Sequence, residues 1–216
     1  MWRRDRVAPR AQLASGAWIV TFRSDFEHRE DLLHAALDEF CEHGYDAASI
    51  NRILSASKMS KGQLYHHFTS KEDVYLALVE WMIDQKLEWF AHRPIAPGED
   101  FFTTLEAQLR AALDFTGAHP DVDRLSRALL AERSRPIFDA VQQRFAFDSD
   151  SATGTLVAHY YAQGEFRSDV TLEFVQRTVL LIVNHLPELL DLRQPPDLGP
   201  KIDELLAFLR AGLAKP

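Results

Sequence analysis

The chain has 216 residues and a formal net charge of −8, with 46% hydrophobic and 26% charged residues, the proportions of a globular protein long enough to bury a core. Its single cysteine, Cys41, excludes an internal disulfide, and its long apolar runs, residues 74–79 and 179–183, fall far short of the roughly 20 residues a membrane-spanning helix needs. Arg3, Arg4, Arg6 and Arg10 precede a weakly apolar stretch, but Gln12, Ser15 and Gly16 interrupt it, so residues 1–23 read as a flexible basic extension rather than a signal peptide, and the chain as cytoplasmic.

Apolar spacing is helical nearly throughout, with no sustained alternation of the kind a half-buried strand requires. Residues 24–43 open with Ser24 and Glu27 in a capping-box pattern, place Leu32, Leu33, Ala36, Leu37 and Phe40 on one stripe, and stop at Gly44. A short helix over 49–56 turns Ile50, Ile53 and Leu54 inward, and Ser60 stands where it would cap a third helix over 61–67. Thr69 or Ser70 then caps a long fourth helix to about residue 91, which Pro94 and Pro97 end. Beyond residue 98, Phe102, Leu105, Leu109 and Leu113 mark another helix, stopped by Gly117 and Pro120. Shorter helices follow at 121–133, at 136–147 with Pro136 in its first turn, and at 151–163 before Gly164. Over 172–190, Leu172, Val175, Val179, Ile182, Leu186 and Leu189 are spaced 3, 4, 3, 4 and 3, the seam pattern of helices packed nearly parallel, with Pro187 disturbing the last turn. A final helix over 200–213 puts Ile202, Leu205, Leu209 and Leu213 on one face. The predicted fold is all-α: three helices over 24–70, then a second all-helical unit over 71–216 that begins with a connecting helix at about 70–91.

Charge is not spread evenly over these elements. Residues 49–71 carry Arg52, Lys58, Lys61 and Lys71 with no Asp or Glu, whereas residues 24–48 carry eight acidic residues and one arginine. A basic cluster is often only a solvated face. Here it coincides with two short helices joined by a tight turn, the pattern of a helix-turn-helix, whose second helix enters the DNA major groove with its first residues at base edges. Lys61, Gly62 and Gln63 hold that position. Lysine donates to guanine O6 or N7, glutamine can bond adenine N6 and N7 together, and Gly62 lets backbone approach a base. Tyr65 and His66 lie further along, within reach of phosphates, and Lys71 stands in the first turn of the next helix, where backbone N–H groups already favour an anion.

The runs AALDEFCEHGYDAASI (35–50) and SKGQLYHHFTSKEDVYLALV (60–79) resemble the N-terminal DNA-binding domain of the TetR family of bacterial transcriptional regulators. Leu-Tyr-His-His-Phe followed by Ser-Lys-Glu is the specific part of the match, which covers roughly a quarter of the chain; the rest matches in helical layout and in GEFRSD (164–169). The resemblance implies a dimeric repressor with a variable C-terminal ligand domain. It also implies base-reading roles for Lys61, Gly62 and Gln63, phosphate contacts at Ser49, Tyr65, His66 and Lys71, and anchoring of the recognition helix by Leu64 and Phe68. The family usually has glycine where this chain has Lys58, and often a small hydroxyl residue where it has Ala48.

Nine histidines raise the question of a metal, but no two share a helix face at a spacing of three or four, and neighbouring His66 and His67 point about 100° apart. No metal and no cofactor are expected. Nucleophile elbow, P-loop and dinucleotide fingerprint are all missing, so an enzyme is not expected either. Cys41 reads as a small apolar filler. Trp81, Trp89, Phe101, Phe115, Phe138, Tyr160, Tyr161 and His185 are candidates for the wall of an effector cavity. The two C-terminal helices are candidates for a dimer interface, a four-helix bundle through Val175, Val179, Ile182, Leu186, Leu205 and Leu209. The expected partners are a pseudo-palindromic double-stranded operator, a small-molecule effector and a second copy of the chain. Two other readings are a helical-bundle enzyme or ligand carrier without DNA binding, and a sequence-indifferent DNA-packaging protein, which the overall negative charge opposes.

Overall fold

A computed structural model describes residues 21–92, 100–145, 149–184, 186–189 and 198–215. The basic extension falls outside them except for its last three residues, as does His185. The described residues hold eleven helices: α1 (Arg29–Ala47), α2 (Ile50–Ser57), α3 (Lys61–His67), α4 (Lys71–Ala91), α5 (Phe101–Ala118), α6 (Pro120–Ala131), α7 (Pro136–Phe145), α8 (Ser149–Ala162), α9 (Leu172–Asn184), α10 (Leu186–Leu189) and α11 (Leu198–Leu213). Among these residues the only extended pairing is a single antiparallel bridge between Phe166 and Ala214. The all-α expectation holds.

The helix starts show which local signals acted. Ser60 caps α3 and Ser70 caps α4, each hydroxyl accepting the backbone N–H three residues on. Pro120 opens α6 at a position where a missing N–H costs nothing. At α1 the Ser24–Glu27 signal did not act: residues 21–24 form a turn, and the helix begins at Arg29 after His28, which sits in the left-handed region at φ 63°. Gly44 interrupts α1 with φ 72° and ψ 169°, leaving one further turn before the chain enters α2. The 3-4 spacing over 172–190 runs unbroken in the sequence, but the structure divides it into α9 and the single turn α10, with Pro187 inside that turn.

The chain forms two compact units, Met1–Arg93 with Thr116–Ala146, and Pro94–Phe115 with Phe147–Pro216. The first is wider than the 24–70 segment read from sequence. In it α1 packs on α2, α4 and α6, and α4 packs on α6 and α7. Its core combines Leu32, Leu37 and Phe40 of α1, Ile53 of α2, Leu64 and Phe68 of the α3 region, Leu78 of α4, and Leu125 of α6. Each such fully buried side chain is worth about 1.5–3 kcal/mol relative to exposure, so α6 is part of what keeps the N-terminal helices folded. In the second unit, Phe101, Phe102, Leu105, Val157, Tyr160, Phe166, Val175, Val179, Ile202 and Leu209 form one core. The phrase GEFRSD has a structural job there. Gly164 (φ 76°) ends α8, Glu165 accepts the Phe101 N–H at 2.7 Å, Phe166 enters the core, and Arg167 pairs with Asp169 at 2.5 Å.

Candidate nucleic-acid interface

Residues α2–turn–α3 form the helix-turn-helix that the sequence predicts. The turn is made by Lys58, at φ 58°, followed by buried Met59 and the cap Ser60. A left-handed residue with a Cβ costs roughly 1–2 kcal/mol, which explains why a glycine suits this position. Leu64 and Phe68 are buried and hold α3 to the core. On its outer side Lys61, Gly62, Tyr65 and His66 are exposed, at spacings that place them on one face. The Lys61 ammonium lies 5.8 Å from the Tyr65 ring centroid, so these two side chains form one cationic, aromatic surface.

Gln63 is less free than its neighbours. Its Oε1 accepts the Ser60 N–H at 2.8 Å while its own N–H donates to Ser60 Oγ at 3.2 Å, a reciprocal capping box. Two-point recognition of adenine needs that same carbonyl oxygen, so the side chain has to leave the cap before it can read a base in this way. His67 turns inward. Its ring stacks on Phe26 at 4.4 Å, and burial, with His66 beside it, lowers its pKa below the usual histidine value.

Lys71 corrects an expectation. Its ammonium is bonded to three backbone carbonyls, Tyr45 O at 2.8 Å, Asp46 O at 3.1 Å and Ala48 O at 3.2 Å, and lies 4.7 Å from the Tyr45 ring centroid. An ammonium has three donors and all three are in use, so this group braces the segment that leads into α2 rather than reaching for a phosphate. The same segment is held from α1 and α2. Glu39, almost fully buried, accepts the Ser49 N–H at 2.7 Å and the Arg52 guanidinium at 2.6 Å, and Arg52 also donates to Ala47 O. Bonding to Arg52 lowers the Glu39 pKa against the opposing effect of burial. Ser49 is the α2 N-cap residue, yet its hydroxyl makes no cap bond and stays available.

The aromatic residues expected around an effector divide. Trp81 lines a cavity of about 430 Å³ together with Phe22, Arg29, Leu33 and Gln85; Trp89, Phe101, Phe115, Phe138 and Tyr160 are not among its walls. Phe101 and Tyr160 are core residues with ring centroids 6.0 Å apart, and the Tyr160 hydroxyl is bonded to Thr104 Oγ1 at 2.7 Å. Phe115 is buried, Phe138 is half-buried, and Trp89 meets His119 edge to face at 5.1 Å. Tyr161 is half-buried and donates its hydroxyl to Val170 O.

The dimer residues also need correcting. Val175, Val179, Leu186, Leu205 and Leu209 are buried and Ile182 is partly buried, all in the core of their own unit. Among the residues whose exposure is described, the exposed large apolar residues of these helices are Phe174 (55%), Leu181 (62%), Leu189 (56%) and Phe208 (72%). The seam pattern therefore marks an internal face, and sequence reasoning missed the external one. The available signal was Phe174 and Leu181, seven residues apart and out of phase with the seam.

Among the described residues no group of three or more His, Cys, Asp and Glu side chains could hold a metal ion, and no helix is long and apolar enough to cross a membrane.

Residues 32–78, from α1 into α4, match the family model of the bacterial regulatory proteins of the tetR family. Over 50 residues the chain is 42% identical to the HTH-type transcriptional repressor AcnR of Corynebacterium glutamicum, a match covering 23% of this chain and only 27% of that repressor's length. The HTH-type transcriptional repressor KstR2 of Rhodococcus jostii is 28% identical over 156 residues, covering 69% of this chain and 72% of its own. In fold, a TetR family transcriptional regulator from Chloroflexus aurantiacus superposes with a TM-score of 0.74 at 24% identity, over 90% of this chain and 97% of that one. Residues 32–78, which hold the helix-turn-helix, thus match the DNA-binding segment of the tetR family of bacterial regulatory proteins, and the helical layout of the rest resembles that of a solved regulator of that family.

Proposed function

We propose that this protein is a homodimeric, sequence-specific DNA-binding transcriptional regulator of the bacterial cytoplasm, a repressor that leaves a pseudo-palindromic operator when a small-molecule effector binds. The observation that carries the reading is the outer face of α3: Lys61, Gly62, Tyr65 and His66 are exposed together on a capped helix that Leu64 and Phe68 anchor. Such a helix offers base-edge donors at its start and phosphate donors behind them. In this reading Lys61, Gly62 and, once released from its cap, Gln63 face bases, while Ser49, Tyr65 and His66 hold phosphates. The repressors AcnR and KstR2 support the direction of control, and the exposed apolar residues of α9 and α11 support association of two copies.

Selection of bound fragments from a random double-stranded pool tests the reading. The expected product is an inverted repeat with half-sites about one helical turn apart or a multiple of it. Its affinity should fall steeply with salt, because phosphate neutralisation releases counterions. Lys61→Ala should weaken binding and flatten the salt dependence; failure of the wild-type protein to enrich any sequence would overturn the assignment. A small-molecule screen for release of the selected fragment then finds the effector. A compound that releases the operator must favour the free state by ~1.4 kcal/mol for each tenfold loss of affinity.

A further inference from the structure

The strongest unexplained group lies away from the recognition helix, at the corner between α6 and α7. Glu132 caps the end of α6, and only 4% of its surface is exposed. Its Oε1 accepts the backbone N–H of Tyr45 at 2.9 Å, across 87 residues of sequence. The residue before, Gly44, is at φ 72°, and a Cβ there would stand 3.0 Å from the same oxygen, so the chain is shaped to admit this carboxylate. Arg135 doubles the connection, with Nε 3.2 Å from Glu132 Oε2 and Nη1 2.7 Å from Asp46 Oδ2. On the other side Lys71 holds the carbonyls of Tyr45, Asp46 and Ala48. A buried carboxylate is costly unless it is bonded, so this one is tied to the segment it bonds.

We propose that Glu132 is a positioning residue for operator binding: through Tyr45 it fixes the 44–49 segment, and with it the placement of α2 and α3, to the α6–α7 corner. The inference rests on the DNA-binding reading above and adds to it a residue that touches no DNA. A change at the α6–α7 corner then reaches the recognition helix through a short chain of hydrogen bonds, without passing along α4.

The test uses the full-length protein and the fragment that wild-type protein selects from the random pool. Glu132→Ala removes the acceptor, Glu132→Asp withdraws it by one methylene while keeping the charge, and Glu132→Gln keeps a carbonyl in place. Expected are a loss of about tenfold in operator affinity for the first two and a return to within about threefold of wild type for the third. The slope of log affinity against log salt stays unchanged in all three, because no phosphate contact is lost, whereas Lys61→Ala lowers it by roughly 0.9. A folded Glu132→Asp protein with wild-type affinity overturns the proposal, and does so even where Glu132→Ala fails to fold. An altered salt slope in Glu132→Asp overturns it as well, since the residue would then act on DNA contacts directly. Failure of wild-type protein to select any fragment sinks the DNA-binding reading itself.

Discussion

Gln63 serves two roles that compete for one atom. Its Oε1 closes the capping box at the start of α3, and the same oxygen is needed to accept a hydrogen bond from adenine N6. Gln63→Glu separates the roles. A carboxylate there still accepts the Ser60 N–H and suits the positive end of the helix, so thermal stability should be at or above wild type. It has no donor for N7, so adenine preference at one operator position should be lost, a discrimination worth about 1–3 kcal/mol, in sequences selected from a random pool. An unchanged selected sequence would show that Gln63 only caps. Lys71 leads to a different expectation. Lys71→Met removes a charged donor from three carbonyls and should cost about 1–3 kcal/mol in urea unfolding. The salt slope of DNA binding should not change, because the ammonium holds no phosphate. A flatter slope would restore the phosphate role that the sequence suggests.

At the scale of elements, α3 was legible from its serine cap; Gln63, read from sequence only as a base contact, turns out to close a capping box as well, and Leu64 and Phe68, four apart, anchor the helix. The start of α1 was not, since Ser24 and Glu27 imitate a cap while residues 21–24 make a turn of their own. Lys71 was misread for a related reason: sequence places it beside a helix N-terminus but cannot show that the break at Gly44 swings three carbonyls toward it. The two adjacent histidines of α3 were separable, His66 outward and His67 inward, and the inward one makes a pH prediction. Burial lowers the pKa of His67 below the usual value of about 6.5. The unfolded chain then binds the proton more readily than the folded one, so the contribution of His67 to stability is complete above pH ~6.5 and is lost as pH falls through the folded value. His67→Phe keeps the stack on Phe26 and cannot titrate. Between pH 7 and pH 5, about the range over which a histidine titrates, denaturation midpoints should fall more steeply for wild type than for this variant. Parallel curves would place His67 in water.

On the scale of the whole molecule, the sequence made plain that the C-terminal helices are apolar, but its seam was assigned to a second copy of the chain. A 3-4 spacing records burial and not the identity of the neighbour, and in α9 and α11 the neighbour is the chain's own core. The proposed second copy is expected instead at the exposed apolar residues of these helices, Phe174, Leu181 and Phe208. Exposed aromatic and leucine side chains of this kind suit the centre of an isologous interface, because each residue meets its own counterpart or a near neighbour across the two-fold axis. Two sets of substitutions distinguish the faces. Phe208→Asp with Leu181→Asp should leave helicity and melting temperature close to wild type while halving the sedimenting mass. It should also weaken operator binding, since only a dimer presents two recognition helices to two half-sites. Val179→Asp and Leu209→Asp each bury a carboxylate without a partner, and the expected result is loss of the folded second unit rather than a folded monomer. If the outer pair sediments as wild type and the inner pair gives folded monomers, the interface follows the seam after all, and the core assignment of α9 and α11 is wrong.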